Sequence, residues 1–144
     1  MLKRIAKTLG FKKKRKTSGP HIVPPGSHPI EPRDISRAAS EVVSGLEEAG
    51  YKAYVVGGCV RDLMLGLKPK DFDVATDATP EEVKVIFRRA RIIGRRFRIV
   101  HVRFGREVIE VTTFRAHHTS NPGKDKDLSR QSKEGMLLRD NVFG

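Results

Sequence analysis

Two aspartates one residue apart are the residues of this chain best suited to do chemistry. Asp71 and Asp73 flank Phe72 in a stretch predicted to be a strand, Asp71 to Ala75. Alternate residues of a strand point to the same face, so the two carboxylates are expected to lie side by side. Carboxylate oxygens are ligands that Mg²⁺ prefers. The pair is therefore a candidate metal site, although a D-x-D sequence taken alone is more often solvated than metallated.

A glycine turn upstream of these aspartates carries groups that suit phosphate. An apolar strand, Lys52 to Val56, runs into Gly57 and Gly58, and a short helix is predicted from Val60 to Leu65. Backbone N–H groups exposed at a helix start bind anions, and Arg61 can add a forked pair of hydrogen bonds to phosphate oxygens. A glycine pair alone usually marks only a turn. A phosphate cradle followed by an aspartate pair nevertheless suits Mg²⁺ held together with a nucleoside triphosphate.

Two amphipathic helices are predicted to flank these motifs. The first is expected to be capped by Asp34 and to stop at Gly50, because apolar residues between them recur at a spacing of three and four. The second begins with a Thr79 cap and Pro80 in its first turn, and it is predicted to run to about Arg89. The first helix is interpreted as structural.

Two further strands are predicted after the second helix. They are Phe97 to Phe104 and Glu107 to Thr113, and a two-residue turn at 105–106 joins them. Together the elements predict an α/β (α+β) fold, with a small mixed sheet flanked by helices. Glu110 interrupts the apolar run of the last strand and is a candidate third acid; the alternative is an ordinary exposed position on an alternating strand.

Charge is concentrated at the N-terminus of the chain. The formal net charge is +12, and residues 1–16 contain eight bases and no acid, which leaves +4 for the remainder. Such an excess favours a polyanionic partner. Residues 1–33 are predicted to be a basic, disordered arm followed by a Pro/Gly-rich linker. The alternative is a short amphipathic helix over Met1 to Phe11 that contacts RNA or, weakly, an anionic membrane surface. Residues 34–144 are predicted to form the folded domain.

Several function classes are disfavoured by composition. No apolar run is long enough to predict a transmembrane segment. The single cysteine, Cys59, excludes an internal disulfide and a multi-cysteine zinc site, suits a reducing cytoplasm, and is expected to fill a tight turn. His101 is expected to be structural, and His117 and His118 lack metal-site spacing.

An arginine-rich stretch follows the second helix and can line a groove for RNA. Phe97 and Phe104 are interleaved with these arginines and are expected to pack in the core. The basic residues of this stretch are Arg88, Arg89, Arg91, Arg95, Arg96 and Arg98.

These motifs together resemble a known superfamily. The run Gly57-Gly58-Cys59-Val60-Arg61-Asp62 followed by Asp71-Phe72-Asp73 resembles the head of polymerase beta-like nucleotidyltransferases, in the group that contains bacterial poly(A) polymerases and CCA-adding enzymes. The stretch 92–102 is similar to the one that separates poly(A) polymerases from their CCA-adding relatives. Stretches 110–115 and 136–141 also resemble the head, so the likeness covers about residues 34–144.

The resemblance implies an activity as well as a fold. It implies Mg²⁺-dependent transfer of AMP from ATP to RNA 3′ ends, as in mRNA polyadenylation, with Asp71 and Asp73 as metal ligands and Glu110 as the third catalytic carboxylate. Gly57, Gly58 and Arg61 would bind the triphosphate. Members continue into helical neck, body and tail regions, so a truncated head is expected. Addition of CCA to tRNA, or RNA binding without catalysis, are the alternatives.

Overall fold

The computed structural model describes residues 19–115 of the chain. A short 3-10 helix, Pro32–Asp34, precedes the first helix, and residues 19–31 contain no helix or strand. The helices and strands are, in chain order, α1 (Arg37–Glu48), β1 (Ala53–Val56), α2 (Gly58–Met64), β2 (Asp73–Thr76), α3 (Pro80–Ile86), β3 (Ala90–Ile93), β4 (Ile99–Phe104) and β5 (Glu107–Thr113).

The five strands form one mixed sheet in the order β1-β2-β5-β4-β3. β2 runs parallel to β5, and the other neighbouring pairs are antiparallel. The predicted mixed α/β architecture is therefore confirmed. The predicted hairpin is also confirmed, since Phe104 of β4 pairs with Glu107 of β5 across a turn in which Gly105 has a φ of 58°.

The two faces of the sheet differ in burial. Helices α1 and α3 pack against the strands, and alternate strand residues on that face form the core. The intervening residues of β2, β4 and β5 are only partly buried or exposed. We call this second side of the sheet the open face. The core residues contributed by these three strands are Val74, Val100, Val102, Ile109 and Val111, with Thr76 and Thr113 buried beside them.

The start of α1 differs from the prediction. Ser36, not Asp34, caps this helix, because the Ser36 side chain accepts a hydrogen bond from the backbone N–H of Ala39 at 3.1 Å. Asp34 ends the preceding 3-10 turn, where its carboxylate accepts from the backbone N–H of Glu31 at 2.8 Å. The stop at Gly50 is confirmed by its φ of 91°, which favours glycine.

The segment after Thr79 was predicted only in part. The Thr79 cap and Pro80 are confirmed, but α3 ends at Ile86 rather than near Arg89. The backbone of Phe87 is extended, and its ring packs so closely on α1 that a Cβ at Gly45 would lie 2.9 Å from it. The chain then forms β3, a strand that no sequence pattern had predicted and that pairs with β4.

The helix after the glycine turn and the strand at the aspartate pair begin at slightly different residues than predicted. α2 begins at Gly58, two residues earlier than predicted, and Gly66 follows its end with a φ of 73°. β2 begins at Asp73 rather than Asp71, because Val56, the last residue of β1, pairs with Asp73.

Some predictions concern parts of the chain outside residues 19–115. These are the basic arm and its possible helix, the pair His117 and His118, and the resemblance over 136–141. Within the described residues, no helix has the length and apolar character needed to cross a bilayer.

Candidate active site

Asp73 and Glu110 occupy neighbouring positions on the open face. In the register of the sheet Asp73 lies between Val56 of β1 and Glu110 of β5, and Glu110 lies between Asp73 and His101 of β4. Neighbouring strands are about 4.8 Å apart, so the two acidic residues lie close enough to serve one site. The parallel pairing of β2 and β5 is what unites them, since 36 other residues separate them in the chain.

Gly57 makes room for the Asp73 carboxylate. A Cβ atom at Gly57 would lie 3.0 Å from Oδ2 of Asp73, and the Gly57 φ of 83° with ψ of −149° is accessible essentially only to glycine. The turn that ends β1 therefore leaves no room for a side chain beside the carboxylate. Sequence reasoning assigned Gly57 to phosphate binding and did not foresee this contact.

Gly58 has a similar relation to Arg61. A Cβ at Gly58 would lie 3.3 Å from an Nη atom of Arg61, so the small residue lets the guanidinium lie against the start of α2. Arg61 is exposed and donates through Nε and Nη to Oδ1 of Asp62 at 3.1 and 3.0 Å. The structure thus places Gly57 beside Asp73 and Gly58 beside Arg61.

Cys59 completes this turn as a packing residue, as predicted. It is buried, and its thiol donates to the carbonyl oxygen of Val56 at 3.0 Å. Asp71 lies two residues before β2 and is exposed, whereas the intervening Phe72 is buried in the core. The exposed-buried alternation behind the predicted aspartate pair is therefore present, although Asp71 itself lies just outside the strand.

The donor chemistry of the site fits Mg²⁺. Its acids offer only hard oxygen atoms, and within residues 19–115 the Asp73 carboxylate has no hydrogen bond or ion pair that would compete with a cation. In the same part of the chain, no three Asp, Glu, His or Cys side chains are gathered into a metal cage. An incomplete set of carboxylates is what Mg²⁺ commonly uses, because it retains waters and accepts substrate phosphates as further ligands.

His101 was expected to be structural, but it lies on the open face. Its Nε2 is 3.6 Å from Oε2 of Glu110, and both side chains are partly exposed. A signal for this contact was available in the sequence: a two-residue turn at 105–106 pairs residue 104 with 107 and hence 101 with 110. The predicted hairpin therefore contained the neighbour of Glu110.

The arginine-rich stretch contributes to more than one surface. Arg91 lies opposite His101 in the same row of the open face, whereas Arg98 forms an ion pair with Glu81 of α3. Phe104 packs against the core, as expected. Phe97 does not: its side chain is 53% exposed in the β3–β4 loop, with the guanidinium carbons of Arg96 and Arg115 at 5.4 and 4.8 Å from its ring centre. The expectation that Phe97 packs in the core was wrong, because β4 begins at Ile99 rather than at Phe97 and leaves Phe97 in the loop before the strand.

Comparison with known proteins finds relatives for most of this chain. The family model described as the poly A polymerase head domain matches residues 53–142. Poly(A) polymerase I of Haemophilus influenzae is 54% identical over 125 residues, which is 86% of this chain and 27% of that protein. Poly(A) polymerase I of Escherichia coli O6:H1 is 55% identical over 123 residues, or 85% of this chain and 26% of that protein. The chain therefore spans about a quarter of the length of these relatives.

A solved structure provides the same comparison for the fold. The crystal structure of the Bacillus stearothermophilus CCA-adding enzyme in complex with CTP aligns with a TM-score of 0.53 and 39% identity, over 60% of this chain and 22% of that one. The mixed sheet and its helices are those of a polymerase beta-like nucleotidyltransferase head. The chain belongs to the poly(A) polymerase head domain family.

Proposed function

We propose that this chain is an RNA adenylyltransferase head, which transfers AMP from ATP to RNA 3′ ends without a template. The observation that carries the proposal is the pairing of Asp73 with Glu110 on the open face, beside the turn formed by Gly57 and Gly58. Two acids next to a glycine-lined helix start form an arrangement suited to a metal-bound triphosphate. Poly(A) polymerase I relatives at 54% and 55% identity support the choice of ATP.

Three acidic residues would contribute to metal binding in the proposed mechanism. Asp71 and Asp73 would hold Mg²⁺, and Glu110 would complete the oxygen set from β5. When bound, Mg²⁺ neutralises charge on the triphosphate and lowers the pKa of a coordinated hydroxyl. Gly57 keeps the Asp73 carboxylate at the turn, because there is no Cβ to displace it.

The turn residues would bind and orient ATP. Backbone N–H groups at Gly57 and Gly58 would donate to the phosphates in this proposal, and Arg61 would add positive charge there. The oxygen of the RNA 3′-hydroxyl would form a bond to the α-phosphorus as its proton passes to water, while the bond from that phosphorus to the β-phosphate oxygen breaks and pyrophosphate leaves. Holding both reactants in line is the main contribution that such a protein site makes to phosphoryl chemistry.

RNA is the proposed polymeric substrate. The excess of bases in the chain favours binding to its phosphates, and the exposed Arg91 places one of these bases in the row of the open face. We place the reaction in the cytoplasm, since the buried thiol of Cys59 is free and suits a reducing compartment.

Addition of CCA to tRNA is the second candidate. It is favoured by the structural similarity to the CCA-adding enzyme at 39% identity. A CC-adding tRNA nucleotidyltransferase of Halalkalibacterium halodurans is 43% identical over 57% of this chain. Both values are lower than those of the poly(A) polymerase I relatives, which supports adenylation as the primary proposal.

The test is to incubate the purified chain with a labelled RNA oligonucleotide, Mg²⁺ and each nucleoside triphosphate separately. ATP-dependent lengthening that is absent in the Asp71→Ala/Asp73→Ala variant would support the proposal. Lengthening confined to tRNA, with CTP and ATP, would favour the second candidate. A folded preparation that binds RNA but extends no substrate would contradict both and leave a non-catalytic RNA-binding fragment.

A further inference from the structure

One imidazole lies next to Glu110 in the row that contains the two acids. His101 and Glu110 are direct partners across β4 and β5, with Nε2 of the first 3.6 Å from Oε2 of the second. Their side chains are 35% and 45% exposed, so the contact is on the open face rather than in the core. On its other side His101 lies opposite Arg91 of β3. Of the partners flanking His101 in the sheet, only Glu110 is therefore acidic.

Each carboxylate of the row has a neighbour on the side away from the other acid. A Cβ at Gly57 would lie 3.0 Å from Oδ2 of Asp73, and Nε2 of His101 lies 3.6 Å from Oε2 of Glu110. A partly exposed glutamate has three rotatable side-chain bonds, and fixing them has an entropic cost. A neighbour that is itself anchored on a strand reduces the number of positions the carboxylate samples. His101 is such an anchored neighbour, because its strand, β4, is paired with β5 on one side and with β3 on the other.

We propose that His101 is a positioning residue that holds the Glu110 carboxylate on the open face next to Asp73. This inference rests on the proposed role of Glu110 in nucleotidyl transfer. His101 acts through Glu110 and does not touch the reacting atoms. Residues that orient the ligands of a metal typically change metal affinity or activity by about 10- to 100-fold when replaced.

The first experiment compares three variants of the whole chain in RNA extension with ATP and Mg²⁺. His101→Leu removes the nitrogen that faces Glu110, His101→Gln retains a side-chain N–H donor, and Arg103→Leu removes a base from the same strand and face. The proposal predicts a kcat roughly 10-fold lower for His101→Leu with little change in the KM for ATP, and partial recovery in His101→Gln. Arg103→Leu should retain the wild-type kcat. Equal losses in the leucine and glutamine variants would overturn the proposal.

The second experiment asks whether the effect passes through Glu110. In a Glu110→Gln background, His101→Leu should cause no further loss of kcat, whereas an independent structural role would cause the same loss in both backgrounds. Thermal unfolding of each variant separates loss of folding from loss of positioning. The midpoints of His101→Leu and His101→Gln are expected to agree.

Binding of Mn²⁺ alone, measured by electron paramagnetic resonance, gives a readout that does not need activity. His101→Leu and Glu110→Gln should weaken Mn²⁺ binding by similar factors, and the double variant should be no weaker than Glu110→Gln. If the chain extends no RNA but shows this pattern, the proposed function fails and the positioning role stands. Mn²⁺ binding that is unaffected by His101→Leu, or no Mn²⁺ binding at all, would overturn the positioning role.

Discussion

Gly57 is the residue at which one added carbon atom should disturb the site most. We expect Gly57→Ala to lower the rate of RNA extension at least tenfold, because its Cβ would lie 3.0 Å from the Asp73 carboxylate oxygen. The same substitution should cost about 1–3 kcal/mol of stability, since the backbone conformation with φ 83° is unfavourable for alanine. Denaturant unfolding and initial extension rates measure the two effects separately.

Gly66→Ala is the matched control for this prediction. Gly66 has a φ of 73° and no atom within 4 Å of an added Cβ, so alanine there strains the backbone without touching an acid. We expect a loss of stability but an extension rate per folded molecule equal to wild type. If Gly57→Ala retained the same rate per folded molecule as Gly66→Ala, the contact between Gly57 and Asp73 would have no catalytic consequence.

Individual residues were predictable where their chemistry was local. The aspartate pair and the glycine turn can be selected from residue type and spacing alone. In the structure, a Cβ at Gly57 would lie 3.0 Å from the Asp73 carboxylate. The contact of His101 with Glu110 was missed, because an isolated histidine in an apolar strand gives no signal until strand pairing is considered. The exposure of Phe97 could not be predicted from residue type, because aromatic side chains are typical of a core.

The start of α1 provides a test at the scale of an element. Ser36→Ala should lower the free energy of unfolding by about 1 kcal/mol, because the backbone N–H of Ala39 loses its side-chain acceptor. Ser40→Ala, an exposed position within the same helix, is the control and should leave stability unchanged or slightly raised. Chemical denaturation of both variants decides between Ser36 and the sequence-predicted cap, Asp34. Equal stability of Ser36→Ala and Ser40→Ala would contradict the assignment.

The start of α3 should make stability depend on pH in the acid range. The backbone N–H of Thr79 donates to Glu82 at 2.7 Å and is the main reason why the pKa of Glu82 lies below its usual range. A carboxyl whose pKa is lowered by folding stabilises the protein above its unfolded pKa, about 4.3, and loses that contribution as the pH falls through the folded value. We therefore expect wild type to lose more stability than Glu82→Gln between about pH 5 and about pH 3.

Thermal unfolding across this pH range makes the comparison. Glu47→Gln is the control, because it removes a carboxylate from the exposed side of α1 without removing a cap. An identical pH dependence in wild type and Glu82→Gln would show that the hydrogen bond from Thr79 does not stabilise the ionised form.

Elements with capping residues and turns were predictable, and elements defined only by pairing were not. Thr79, Pro80, Gly50 and the turn at Gly105 each act within a few residues, so their signals survive in the sequence. β3 has only four residues. It is defined by its pairing with β4 at the edge of the sheet, and this pairing is not encoded by a capping residue or a turn residue within β3. The end of α3 depends on the Phe87 ring packing against α1, which is likewise a tertiary contact.

The charge of the whole molecule predicts how RNA binding responds to salt. Replacing Lys12, Lys13, Lys14, Arg15 and Lys16 by serine removes five positive charges. If all five contact phosphates, the slope of log K against log salt for single-stranded RNA should become shallower by about 3.5, because each contact contributes about 0.7. Fluorescence anisotropy at several salt concentrations measures the slope. An unchanged slope would show that these bases do not contact RNA, and thermal unfolding serves as the control for folding.

The identity of the transferred group tests the central proposal most directly. The chain is incubated with RNA, Mg²⁺ and ATP that carries a label on either the α- or the γ-phosphate, alongside Asp73→Asn and the distant carboxylate control Glu41→Gln. AMP transfer predicts that the α label enters RNA and the γ label does not, in wild type and Glu41→Gln but not in Asp73→Asn. Incorporation of the γ label would contradict nucleotidyl transfer. Undiminished α-label incorporation by Asp73→Asn would contradict the assignment of the site.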